Sequence, residues 1–402
     1  MFFLVAYGLL LVAYYAIMNP IFSTLPTTIF TVMSALAREH NAINLGQGFP
    51  DGEGPAHLRA IAAQALIDGP NQYPPSTGLP ELRRAVAVHN QRFYDLGFDP
   101  DSEIIVTSGA TEALADCLLA MLSPGDEAIV IEPAYDSYIP ILRAVGATPR
   151  LVQLQPPHWR FDEDALRAAF NDRTRVILIN SPMNPTGKVF SEYEMSVIAE
   201  LLCQYHAYAI CDEVYEHVVF DGRKHLPLMC LPGMGERCVR IGSAGKTFSM
   251  TGWKIGYISA PRPLAEVIAR AHQFVTFTSV PALQKAVAVG LGSDMEYFNE
   301  LAAGLQETRD LLTHGLNEIG FKVLPCDGTY FINADFRELD PDRDDMAFCR
   351  HITETAKVSA IPVSAFYEPG SPNIPRNLAR FCFCKDAALL TEALARLRRH
   401  FA

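Results

Sequence analysis

Several short stretches carry residue types that could do chemistry, and they recur in order along the chain. Lys246 stands in Gly242-Ser243-Ala244-Gly245-Lys246-Thr247-Phe248. Small neighbours let a bulky ligand approach the backbone there, and a lysine shielded from water gives up its proton to become a neutral amine able to attack an aldehyde. Alone, such a lysine is more often simply solvated. Asp212 opens Asp212-Glu213-Val214-Tyr215 directly after the apolar run 208–211. A carboxylate at the end of a buried strand needs a cationic or hydrogen-bonding partner, and a protonated ring nitrogen would supply one. The turn Ser108-Gly109-Ala110-Thr111-Glu112-Ala113 opens a helix, whose free N–H groups favour a phosphate. An ordinary helix cap has the same look. Tyr135, in Glu132-Pro133-Ala134-Tyr135, could lie flat on a planar ligand or be a packed core tyrosine. Asn180-Ser181-Pro182-Met183-Asn184-Pro185-Thr186-Gly187 makes a stiff loop in which a cis Asn184–Pro185 bond is admissible, although a plain surface turn would read alike. Each signal is weak singly. Their occurrence at successive strand ends is not.

The elements that must position these residues follow from the apolar pattern. Short β-branched runs at 104–107, 128–131, 176–179, 208–211 and 239–241 alternate with amphipathic helical stretches. Continuous apolar strands between helices indicate an α/β fold with a mostly parallel sheet covered on both faces. Ligands of such sheets bind at the carboxyl ends of the strands, where all five motifs fall. Beyond about residue 274 the pattern changes to long helices at 281–291 and 297–319, then strand-like pieces at 329–332 and 378–383. This suggests a smaller α+β domain. The expected organisation is an arm over 18–47, with a short helix at 31–40, a large domain over 48–280 and a small C-terminal domain over 281–402.

Composition excludes several other classes. The chain has 402 residues, 49% of them hydrophobic, which is enough for a large core. The net charge of −12 would repel a phosphodiester backbone, so nucleic acid is not an expected partner. Nine cysteines lie scattered without metal-ligand spacing, and the closest pair, Cys382 and Cys384, falls in one strand-like run. No metal site is expected, and the cysteines fit a reducing, cytoplasmic compartment. Residues 1–17 are almost wholly apolar and have no basic residue before Arg38. They match neither a signal peptide nor a flanked membrane anchor well, and the preferred reading is an upstream extension ahead of a start at Met18.

Taken in order, these motifs resemble the class I and II aminotransferases, a fold-type I family that uses pyridoxal 5′-phosphate. The likeness runs from about residue 28 to the C-terminus. It rests on Gly46-Gln47-Gly48-Phe49-Pro50-Asp51, Asn71-Gln72-Tyr73, Asn184-Pro185-Thr186-Gly187, Asp212-Glu213-Val214-Tyr215 and Ser243-Ala244-Gly245-Lys246-Thr247-Phe248. Thr28-Ile29-Phe30, Met33-Ser34-Ala35-Leu36-Ala37 and Met250-Thr251-Gly252-Trp253-Lys254 are most similar to the methionine aminotransferase and kynurenine–glutamine transaminase K branch.

The resemblance implies roles. Lys246 would hold the coenzyme aldehyde as a Schiff base and carry the proton at the substrate α-carbon. Asp212 would pair with the ring nitrogen, Asn184 and Tyr215 with the ring hydroxylate, and Tyr135 would stack on the ring. Gly109, Ala110, Thr111, Ser243 and Lys254 would hold the phosphate. Tyr73 would reach the phosphate across a homodimer interface. Arg380 would grip the substrate carboxylate with a bidentate fork, near Gly48, Asn180 and Asn184. No second arginine dedicated to a distal carboxylate is identifiable, and Tyr73, Tyr135 and Phe277 are aromatic candidates. Neutral sulfur-containing or aromatic L-amino acids are therefore the expected donors, with a 2-oxo acid as acceptor. A carbon–sulfur β-lyase on the same scaffold is the nearest rival. A non-catalytic sensor would ordinarily lack Lys246 or carry a DNA-binding module, and the sequence shows neither departure.

Overall fold

Apolar runs bounded by turn residues become strands because their backbone groups must pair once their side chains leave water. The computed structural model describes residues 18–402, so the extension expected over 1–17 lies outside the described residues. In chain order the strands of the first half are β1 (Ile43–Asn44), β2 (Ile104–Thr107), β3 (Glu127–Glu132), β4 (Thr148–Gln155), β5 (Arg160–Phe161), β6 (Thr174–Asn180) and β7 (Tyr208–Asp212). They are followed by β8 (Cys238–Ser243), β9 (Gly256–Ser259), β10 (Lys322–Val323), β11 (Phe331–Asp335), β12 (Val358–Ser359), β13 (Ile361–Pro362) and β14 (Leu378–Cys382).

Eight strands form one sheet in the order β2-β9-β8-β7-β6-β3-β4-β5. Neighbours from β8 to β4 run parallel, whereas β9 is antiparallel to both β2 and β8, and β5 is antiparallel to β4. The five apolar runs read from the sequence are β2, β3, β6, β7 and β8. Two further members of the sheet, β4 and β9, escaped that reading. β4 is exposed or partly exposed from Thr148 to Leu151 and buries only Val152 and Leu154, and β9 is a four-residue strand opened by a glycine. Every residue of β2, β3, β8 and β9 is buried. Each Val, Ile or Leu sealed this way contributes about 1.5–3 kcal/mol relative to exposure.

The later strands form an antiparallel sheet, β10-β11-β14-β13. The piece expected at 329–332 starts instead at Phe331, because Thr329 takes a positive φ of 73° that no strand accommodates. The run expected at 378–383 stops at Cys382. The arm helix spans Ile29–Glu39, starting before the expected 31–40, because the Thr28 hydroxyl accepts from Thr31 N at 3.3 Å and caps it there. β1 then pairs in parallel with β12, Ile43 opposite Val358. Met33, Ile43 and Leu45 share one core with Phe331, Ile332 and Phe381.

The reversed strand β9 brings Gly256 between Thr107 and Ser243, at the mouths of β2 and β8. A Cβ on Gly256 would stand 2.6 Å from Gly109 C and 2.8 Å from Ala110 N, both backbone atoms that cannot swing aside. Gly256→Ala is expected to destabilise the protein by about 1–3 kcal/mol through overpacking. Urea denaturation checks this, and an unchanged midpoint would contradict it.

Candidate active site

The carboxyl ends of β2, β3, β6, β7 and β8 open on a cleft of about 190 Å³. The turn after β2 contributes Gly109, Ala110 and Thr111, and Tyr135 follows β3. Asn180 ends β6 and Asn184 follows it, Asp212 ends β7 with Tyr215 beyond, and Ser243 ends β8 ahead of Lys246. Lys254 completes the wall. Sequence reasoning named all of these residues, most of them at strand ends and Lys254 through the family resemblance, and the structure brings them together. The Asn184–Pro185 bond is cis.

The β2 turn is shaped for an anion. The helix Ala110–Met121 begins without a side-chain cap, so its first N–H groups stay open. Gly109 has φ 78°, and a Cβ there would touch Lys254 Cε and Nζ at 3.0 Å, so the lysine stem lies directly over this glycine. Lys254 itself adopts the left-handed region at φ 52°. Thr111 Oγ1 and Tyr135 OH are 3.5 Å apart. Beneath the turn, Ser108 N donates to Glu112, whose other oxygen lies 2.7 Å from His272 Nδ1. His272 Nε2 bonds Ser76 O at 2.9 Å. Residues Glu112 and His272 were not read as site residues, since a helical acid and a lone histidine give no such signal.

Asp212 is 5% exposed. Burial lifts its carboxyl to about 6, against the opposing pull of the Tyr138 hydroxyl, Val214 N and the Lys246 charge. Tyr138 OH donates to Asp212 Oδ2 at 2.6 Å. Tyr138 was missed because, three residues from Tyr135, it reads as another core aromatic. Asn180 Nδ2 donates to Asp212 O at 2.8 Å, and Asn184 N donates to Asn180 Oδ1 at 2.8 Å, tying the β6 loop to the β7 strand end.

Behind β7, Arg240 bridges Glu213 at 2.6 Å and Glu216 at 3.1 Å, fixing the loop that carries Tyr215. Burial also raises the Tyr215 phenol well above its ordinary range, so it remains a proton donor. The same cause acts oppositely on Lys246, whose amine is held below the usual lysine range. Lys246 Nζ donates to Gly48 O at 3.2 Å, and Tyr330 OH donates to Lys246 O at 2.7 Å. Tyr330, like Tyr138, is a tyrosine that sequence reasoning did not single out.

Arg380, on β14, is 1% exposed. Its Nη1 donates to Asn184 Oδ1 at 2.8 Å and its Nη2 to Gly46 O at 2.7 Å, while Nε has no partner among the described residues. Burial lowers the guanidinium to about 10, still charged at neutral pH. Phe331, Phe366 and Phe30 ring centroids lie 3.9, 4.8 and 5.2 Å from it. Gly48 sits against Phe331, where a Cβ would come within 2.2 Å of the ring. Tyr73 is not brought to this cleft within the chain. It is 83% exposed and meets Phe277 edge-on at 5.2 Å on the surface. Among the described residues no helix is long and apolar enough to cross a membrane.

Comparison with known proteins agrees with this arrangement. Residues 40–397 match the family profile described as aminotransferase class I and II. The structure of an N-succinyldiaminopimelate aminotransferase from Mycobacterium tuberculosis is 44% identical, with a TM-score of 0.90 over 94% of this chain and 97% of that one. An Escherichia coli structure with a methionine aminotransferase function is 40% identical, with a TM-score of 0.91 over 95% of this chain and 99% of that one. The human kynurenine–oxoglutarate transaminase 3 is 38% identical over 92% of this chain and 87% of its own length. Lys246, Asp212 and Arg380 thus sit in a chain that belongs to the class I and II aminotransferases.

Proposed function

We propose that this chain binds pyridoxal 5′-phosphate in the cleft and moves an amino group from a neutral, sulfur-containing or aromatic L-amino acid to a 2-oxo acid. The observation that carries this reading is the pairing of a buried Asp212 with a desolvated Lys246 amine in one cleft. The residues fit the coenzyme. Its phosphate suits the uncapped turn of Gly109, Ala110 and Thr111 with Lys254 and Ser243, and its protonated ring nitrogen would give Asp212 a cationic partner. Tyr135 offers a ring face, and Tyr215 and Asn184 offer donors to the ring oxygen.

When bound, pyridoxal phosphate supplies an aldehyde that captures amines and a cationic ring that withdraws electrons from the substrate α-carbon. Lys246 Nζ, whose amine burial holds below the usual lysine range, is the base for the α-carbon proton. Asp212 holds its negative charge against the ring nitrogen, with Tyr138 fixing its orientation. Arg380, already oriented by Asn184 and Gly46, retains donors for the α-carboxylate. The phenylalanines around it leave the adjoining volume apolar, favouring neutral side chains. The methionine and kynurenine specificities of two relatives support the same class. The exposed Tyr73–Phe277 pair, with Phe274 86% exposed nearby, supports a homodimer in which Tyr73 completes a partner's phosphate site. A reducing, cytoplasmic setting accords with nine cysteines that are all free.

Lys246→Ala is expected to reduce turnover by at least about 10³-fold and to abolish the visible absorbance of lysine-bound coenzyme, while phosphate-anchored coenzyme is retained. Wild-type turnover in this variant would refute the reading. Steady-state rates across a panel of methionine, phenylalanine, kynurenine, aspartate and N-succinyldiaminopimelate are expected to favour the neutral donors, and Arg380→Lys is expected to raise KM for them about tenfold or more. Aspartate ahead of methionine would overturn the substrate class.

Asp212 also predicts a pH effect on the coenzyme-free protein. A carboxyl raised to about 6 favours folding while protonated, and that stability is lost as pH rises from about 4 through about 6. The loss is on the order of 3 kcal/mol for this group. Asp212→Asn is expected to flatten that part of the stability profile and to abolish activity. Parallel profiles for the two proteins in chemical denaturation would contradict the assignment.

A further inference from the structure

Cys382 and Cys384 are neither part of the coenzyme cleft nor used by the reaction, yet their Sγ atoms lie 3.1 Å apart and both residues are buried, 0% and 4% exposed. Residues two apart on an extended chain put their side chains on the same face, with Cα atoms about 6.4–6.8 Å apart. That span lies at the upper end of what a disulfide tolerates. Strand β14 ends at Cys382, so Cys384 stands just beyond the ladder, and the 3.1 Å between the sulfurs is the approach that remains to be closed.

We propose that Cys382 and Cys384 are an oxidative modification site, a dithiol that a two-electron oxidant such as hydrogen peroxide closes to a reversible disulfide. The surroundings favour the first step. Burial opposes charge on Cys382, but the Cys384 thiol donating to it and the Lys385 and Arg380 cations outweigh burial and hold its thiol below the usual range. Burial and its neighbour push Cys384 up, so it remains the protonated member. The Cys382 thiolate attacks one peroxide oxygen, the O–O bond breaks, and the departing hydroxide takes the Cys384 proton to leave as water. The Cys384 thiolate then attacks the Cys382 sulfur of the resulting sulfenic acid and expels hydroxide. That hydroxide takes up the proton first lost by Cys382. One peroxide and two thiols thus give one disulfide and two waters, with the thiols oxidised and the peroxide reduced.

The site is wired to substrate binding. Arg380 lies two residues before the pair on β14, and Cys382 N donates to Leu45 O at 2.7 Å, next to the Gly46 carbonyl that orients Arg380. On the other side Lys385 Nζ bonds Phe49 O and Asp51 Oδ1, each at 2.8 Å, anchoring the segment whose Gly48 carbonyl accepts from Lys246. Drawing the two sulfurs into bonding distance therefore shifts the backbone that sets both ends of the amino-acid site. This consequence rests on the proposed function, whereas formation of the disulfide does not.

The holoenzyme should be titrated with hydrogen peroxide, alkylated after unfolding, and mapped by mass spectrometry alongside steady-state kinetics. The expected result is a 382–384 peptide about 2 Da lighter and closed to alkylation, restored by dithiothreitol. KM for the amino donor should rise on the order of tenfold or more, also reversibly, because small misplacements of a binding group are that costly. Cys384→Ala and Cys382→Ala, two separate replacements in case one folds poorly, should each retain the reduced enzyme's KM and lose the reversible rise. Oxidation confined to the exposed Cys203 and Cys230, with 382–384 still alkylated, would overturn the site itself. A disulfide at 382–384 with unchanged KM would overturn its link to substrate binding. Coenzyme-dependent activity absent before any oxidant is added would instead count against the proposed function.

Discussion

Burial shifts two groups of opposite kind in one cleft, each against its charged form. Removing Asp212 from water lifts its carboxyl to about 6, and removing Lys246 from water lowers its amine. Neither shift would persist on a solvated loop. The parallel strands β7 and β8, paired from Ala209 with Cys238 to Asp212 with Ile241, bring the two residues' segments side by side and bury them together. Much of the surrounding architecture serves this burial. Arg240 satisfies the acids that follow Asp212, Asn180 ties the neighbouring strand end to its carbonyl, and Tyr330 fixes the Lys246 backbone from the antiparallel sheet. A buried carboxylate of this kind favours a cationic ligand, which is the physical basis for the proposed coenzyme pairing.

The division of labour follows from the two sheets. The parallel sheet supplies one side of the cleft, the proposed coenzyme side, from its strand ends. The antiparallel sheet supplies Arg380, whose guanidinium is fixed by Asn184 from one side and Gly46 from the other. The residue that would recognise the carboxylate is therefore hydrogen-bonded to a residue of the coenzyme wall. Under the proposed roles, substrate alignment and coenzyme placement would share one hydrogen-bond network, so a disturbance of either would be felt at the other.

How much of this was legible in the sequence depended on whether a residue's neighbours advertised its surroundings. β2, β3, β6, β7 and β8 announced themselves because strands covered on both faces are continuously apolar. β4 is half solvated and carries Arg150, and β9 has only four residues behind a glycine, so neither rose above a loop pattern. Motifs at strand ends located Lys246, Asp212, Asn184 and the β2 turn, since unusual residue types follow a buried run there. Tyr138, Tyr330, Glu112 and His272 were invisible for a different reason. Their importance lies in a partner distant along the chain, and a tyrosine on an apolar helix or strand is the commonest of core residues. Tyr73 marks the opposite limit, as its motif is plain while its proposed place lies on a second copy of the chain.

The pairing of β1 with β12 has a consequence for biosynthesis. Ile43 emerges from the ribosome early but finds its strand partner, Val358, only when translation is nearly finished. The same delay applies to Gly46, whose carbonyl waits for Arg380. The parallel sheet can assemble while the chain is still growing, but the arm must stay unsatisfied, with Met33 and Leu45 uncovered, until the last strands appear. Such long-range closure is slow and leaves apolar surface open meanwhile. Nascent chains stalled before β14 should thus be the species most in need of chaperone shelter, and competence for catalysis arrives only after synthesis ends.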